Sequence, residues 1–156
     1  MKNMKKNSRH RNLKYIVSFI GITAIYGCNL FTPTVSSYDQ YAYSQTTSLK
    51  VDALNLMDSA ASDYQAHIKL ITTVKTTVQK LYEYEKNLPK NDITLKQWQI
   101  LTDTTGHLFG GFMLRWKNEK KLSIGFINDE KNLVSNAFDQ IAELESKKIK
   151  SPSNNN

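Results

Sequence analysis

The chain of 156 residues contains one cysteine, three prolines and six glycines. A single cysteine excludes an intramolecular disulfide and any zinc site built on several thiolates. Neither proline nor glycine occurs from 34 to 88, so no backbone breaker interrupts a helix there. Long apolar runs are also scarce. The longest, Tyr15 to Tyr26, is diluted only by Ser18, Gly21 and Thr23, and it falls short of the ~20 apolar residues that span a bilayer. Histidine is rare as well: beyond the N-terminal run only His67 and His107 occur, and neither stands in an H-x-x-x-H or E-x-x-H spacing. No metal site and no cofactor are therefore expected. A G-x-S-x-G turn is missing too, and with it the commonest mark of a serine nucleophile. Glu83 and Glu85 point to different sides of a helix, and Asp139, Glu143 and Glu145 read as the solvated face of the last one. The chain is not expected to be an enzyme.

Acid is absent from the first 27 residues, where Lys2, Lys5, Lys6, Arg9, Arg11 and Lys14 precede the apolar run. A basic stretch followed by an apolar stretch of this length is the pattern of a signal peptide. The run closes on Ile25-Tyr26-Gly27-Cys28, with the lone cysteine directly after a small residue. In these residues the chain resembles bacterial lipoproteins, whose lipobox carries an aliphatic residue three places before the cysteine and a small one just before it. Tyr26 departs from the small residue more usual between them. The resemblance covers about the first 28 residues. It implies cleavage between Gly27 and Cys28, diacylation of the Cys28 thiol, and an anchor in the cell envelope. Because Asn29 stands where an inner-membrane retention aspartate would, it favours the outer membrane facing the periplasm. Two acyl chains hold a protein firmly, since each buried CH₂ adds about 0.8 kcal/mol.

Removing this leader changes the meaning of the net charge. Of the 21 Lys and Arg, six lie before Cys28, which leaves 15 against 14 acids; Lys147, Lys148 and Lys150 sit at the C-terminal edge. The stretch from Cys28 to Ser146 is slightly acidic, so no phosphate-binding face and no nucleic-acid partner are expected.

The remaining 129 residues suffice for one small domain. Residues 28–45, rich in Ser, Thr and Tyr, read as a lipidated tether. Residues 46–149 read as a helical domain, and 150–156 as a polar, disordered tail. Leu49, Ala53, Leu56, Met57 and Ala60, then Tyr64, Ile68, Ile71, Val74, Val78, Leu81 and Tyr82, recur in threes and fours, the period of an amphipathic helix. Ser59 to Asp63 is the best place for a break, with Ser62 or Asp63 as a cap, although the spacing also allows a single long helix through it. A turn follows around Pro89, with Asp92 as a candidate N-cap. Short helices are then expected over Thr94 to Leu101 and Leu108 to Trp116, flanking a loop from Asp103 to Gly106. The final helix starts after Ser123 and buries Ile127, Val134, Ala137, Phe138, Ile141 and Leu144. Strand is expected nowhere, save for a few residues between Leu122 and Ile127. The fold class is all-α, a small helical bundle.

The densest unusual stretch runs from Trp98 to Trp116. Its glycines allow a close backbone approach, and its aromatic and Arg residues are types enriched at contact sites. Trp98, His107, Phe112, Arg115 and Trp116 are the candidate contacts for a partner or ligand. The plainer reading, favoured because a domain this size needs its aromatics inside, makes Trp98, Phe109, Phe112 and Trp116 the aromatic core of the bundle. The expected function is a lipid-anchored, non-enzymatic interaction or assembly module with an envelope protein as partner. The alternative is a bundle that binds a small apolar ligand in a pocket lined by Trp98 and Trp116.

Overall fold

A computed structural model describes residues 37–148; the lipobox, the cleavage site and the C-terminal tail lie outside them. Five α-helices follow one another: α1 Gln40–Asp58, α2 Ile68–Lys86, α3 Asp92–Thr102, α4 Phe109–Glu119 and α5 Ile124–Lys147. The fold is an all-α bundle, and no strand occurs among the described residues.

The chain becomes helical at Gln40, so residues 40–45 extend the domain rather than the tether. Asp39 sets this start. Its carboxylate accepts the Ala42 amide at 3.0 Å as an N-cap, and its other oxygen accepts the Tyr84 hydroxyl at 2.5 Å. Tyr41 packs on the Tyr84 ring at 4.8 Å between centroids. One residue thus caps α1 and ties it to the far end of α2.

Ser59 to Asp63 does break the long helical stretch. Two 3₁₀ turns, Ser59–Ala61 and Tyr64–His67, replace it, and Asp63 caps the second through the Gln65 amide at 2.8 Å. The opening turns α2 back antiparallel along α1. α5 also runs antiparallel to α1, because Lys50 pairs with Asp139 and Lys131 with Asp58, a fixed register. Both bridges are partly exposed and contribute little stability, ~0–1 kcal/mol each.

Apolar stripes at alternating steps of three and four hold the helices together. On α1 these are Ala42, Leu49, Ala53, Leu56 and Met57; on α2, Ile71, Val74, Val78 and Leu81; on α5, Ile127, Val134, Phe138 and Ile141. Ala137 and Leu144 are only half-buried. α3 inserts Trp98 and Leu101 between α2 and α5, with Thr94 buried beside them and Leu95 at the margin. The threonines of α2 sit on its exposed side. Thr72, Thr73 and Thr77 each bond the carbonyl four residues back, which satisfies hydroxyls that add nothing to helix propensity.

Two expected caps differ in outcome. Ser123 caps α5 through the Phe126 amide at 3.4 Å, so the residues allowed as strand begin a helix instead. Asp92 is the first residue of α3 rather than its cap; Asn91 precedes it and makes no capping bond with its side chain.

Candidate functional site

The five residues singled out between 98 and 116 do not form one surface. Trp98 and Trp116 are wholly buried and Phe112 is nearly so, whereas His107 and Arg115 are exposed. The reason is packing. Trp116 donates its indole N–H to the Ser62 carbonyl at 3.0 Å and meets the Tyr64 ring edge-on at 5.2 Å. Trp98 meets Phe138 edge-on at 6.0 Å. Phe112 stacks with Phe126 at 6.1 Å, and the Arg115 guanidinium covers the outer face of that same Phe126 ring at 4.1 Å. The aromatic stretch is therefore core, as the plainer reading has it, and Trp98, Phe112 and Trp116 pack the interior rather than stand as exposed contacts.

The glycines of this stretch have the same cause. A Cβ on Gly110 would lie 2.2 Å from the Thr102 carbonyl oxygen, and one on Gly111 would lie 1.8 Å from the Gly106 carbonyl oxygen. The backbone they admit is the chain's own, where the start of α4 presses against the end of α3 and its loop. Asp103 shapes that loop by accepting the Thr105 amide and hydroxyl, both at 2.8 Å, and these bonds hold its carboxyl below the usual range.

Because α4 packs chiefly on α3, it stands away from α2. A groove of about 570 Å³ lies between them. Its floor is apolar: Val78 from α2, Phe109 and Met113 from α4, and Tyr64 from the preceding turn. Tyr82 and Leu114 form part of the walls, and Lys75, Gln79, Glu83 and Lys117 supply polar groups. This volume lies within the ~300–1,000 Å³ of small-molecule sites. A shallower hollow beside it shares Tyr82 and Thr102. Sequence periodicity marks Tyr64 and Val78 as inward, and the core reading includes Phe109; Met113 carries no such sign. Periodicity gives no sign that α4 packs against the end of α3, where Gly110 and Gly111 admit the backbone, and leaves a groove against α2.

A second feature lies at the C-terminal end of α2, just beyond Glu83. Glu85 and Glu145 are both fully buried, although Glu145 read from sequence as solvated. Asn91 donates to the Glu85 side chain at 2.6 Å and to its carbonyl at 2.9 Å, while Lys148 donates to Asn91 at 2.8 Å and forms an ion pair with Glu145. The other oxygens, Glu85 Oε1 and Glu145 Oε2, have no hydrogen-bond partner among the described residues. Burial raises the Glu85 carboxyl to about 7, and the Glu145 charge adds to the rise; Asn91 and Lys148 oppose it. The spacing carried this signal. Glu85 extends the stripe Val74, Val78, Leu81, and Glu145 extends Val134, Phe138, Ile141.

Nearby, Asp39 experiences burial, which pushes its carboxyl up, but the bonds from Tyr84 and Ala42 outweigh it and hold it low. The same bond raises the Tyr84 phenol to about 12. Of the two histidines, His67 lies within 2.6 Å of the Ser62 hydroxyl and 5.8 Å from the Trp116 ring, while His107 is exposed. Among the described residues no three His, Cys, Asp or Glu converge on a metal-sized space, and no helix is long and apolar enough to cross a membrane. Comparison with known proteins finds no match: no family model fits the chain, and no curated protein or solved structure is significantly similar to it.

Proposed function

We propose that this chain is a lipid-anchored protein of the bacterial cell envelope that works by non-covalent binding, with no catalytic step. The observation that carries the binding role is the apolar-floored groove between α2 and α4. The address rests on Ile25-Tyr26-Gly27-Cys28 behind a leader that holds six cations and no acid. α1 begins only twelve residues after Cys28, so the bundle would work close to the membrane surface. Such confinement raises the effective concentration of the domain towards anything else held there.

Between the two forms of binding, the ligand form gains over the docking of a protein partner, at a groove that neither buried tryptophan lines. Docking through 106–116 needs Phe112, Met113 and Trp116 as an exposed patch, and all three are interior. The groove offers an open apolar cleft without rearrangement of the core.

The anchor is tested by growing cells with an alkynyl fatty acid and comparing the wild type with Cys28→Ser. The wild type should take the label and lose residues 1–27, whereas Cys28→Ser should stay unlabelled. An unlabelled wild type would overturn the proposal.

A further inference from the structure

We propose that the groove between α2 and α4 binds a single-chain anionic amphiphile of the fatty-acid class, with its tail on the floor and its acid head at Lys75 and Lys117. This rests on the reading of the groove as a binding site and adds the chemistry of its occupant.

The tail follows from the floor. Val78, Phe109, Met113 and Tyr64 present carbon and ring surface, all less than a tenth exposed. An alkyl chain laid on them exchanges water for apolar contact at about 25 cal/mol per Å². The head follows from the charges. Lys75 from α2 and Lys117 from α4 both line the groove, and neither has a hydrogen-bond or ion-pair partner among the described residues. Glu83, which also lines it, is already engaged with Lys86 at 3.5 Å. The cleft therefore carries two uncommitted positive charges and one negative charge with a cation of its own. A neutral apolar ligand would make no use of this imbalance, and a cationic one would be repelled. A carboxylate on an alkyl chain answers both halves of the site. The volume of about 570 Å³ suits one chain and a small head.

The test uses the full chain carrying Cys28→Ser, so that no acyl group of its own competes. Dansyl-undecanoate is bound and followed by its fluorescence, then displaced by dodecanoate, dodecanol or dodecylammonium. Dodecanoate should displace the probe about ten-fold more effectively than dodecanol, a difference of roughly 1.4 kcal/mol, and dodecylammonium should be weakest. Lys75→Glu with Lys117→Glu alters exposed side chains only and should leave helical circular dichroism intact, yet remove the preference for dodecanoate. Gln79→Trp, which fills the cleft, should abolish binding of the probe. Equal binding of dodecanoate and dodecanol would overturn the anionic class while leaving a groove that binds apolar molecules. If Gln79→Trp leaves probe binding unchanged, the groove itself is refuted. Displacement by an acidic amphipathic peptide but not by dodecanoate would also overturn the proposal.

Discussion

Replacing Glu85 with Gln should stabilise the protein at alkaline pH and do little at acidic pH. Glu85 lies fully buried beside a second fully buried carboxylate, Glu145, with Lys148 as the buried cation of the cluster. Its carboxyl is raised from 4.5 to about 7, first by burial and then by Glu145. The sign follows from which state holds the proton. Below 4.5 the carboxyl is protonated both folded and unfolded, so no penalty arises. Between 4.5 and about 7 the unfolded chain releases its proton first, so stability falls as pH rises; above about 7 the penalty is complete. A rise of this size corresponds to roughly 3 kcal/mol at 1.36 kcal/mol per unit. Gln does not ionise, accepts the Asn91 amide as Glu85 does, and can offer its own N–H₂ towards Glu145. Urea unfolding followed by circular dichroism, at pH 4.5 and pH 8.5, measures the difference. Glu85→Gln should gain roughly 3 kcal/mol on the wild type between the two, on the order of 10 °C in Tm. A wild-type minus mutant difference that stays constant across this range would refute the reasoning.

Four further substitutions probe other parts of the structure. Gly110→Ala forces a Cβ to within 2.2 Å of the Thr102 carbonyl and should cost about 3 kcal/mol or more in urea unfolding, whereas Gly125→Ala, with nothing within 4 Å, should gain about 0.5 kcal/mol. Asp39→Ala removes the cap of α1 and the partner of Tyr84; it should cost about 1–2 kcal/mol, and an ultraviolet titration should show one phenol moving from about 12 back towards 10. Lys120→Gly relieves a non-glycine residue at φ 68° and should stabilise by about 1 kcal/mol, provided the Tyr64 amide keeps its bond to the residue 120 carbonyl, at 2.8 Å in the wild type.

Much of the bundle was legible from spacing alone. The stripes on α1, α2 and α5, apart from Ile68, which is exposed, and the Ser123 cap follow from local rules: a 3.6-residue period and side-chain oxygens at helix starts. The spacing leaves open whether Ser59 to Asp63 breaks the long helix, and the structure breaks it there. The start of α1 was missed, because Tyr38 to Gln45 looks like linker by composition. What orders it is Tyr84, 45 positions away, bonded to the Asp39 cap. Asp92 was mistaken for a cap because a residue three-dimensionally committed elsewhere, Asn91, occupies that place. Aromatic density between Trp98 and Trp116 allows both core and contact surface, with domain size favouring core; packing against Ser62, Tyr64, Phe126 and Phe138 agrees with core. The carboxylate cluster was hidden by chemistry rather than by spacing. Glu85 and Glu145 occupy the next inward positions of their stripes, but a charged residue there reads as solvated when its partner on another helix is unseen. The groove was not legible at all, since it arises from how far α4 leans from α2.

The intact mass of the protein purified from membranes tests the central proposal most directly. A chain beginning at Cys28, heavier than the bare polypeptide by a diacylglyceryl group, is the expected result. A chain that keeps residues 1–27 and carries an unmodified Cys28 would contradict it.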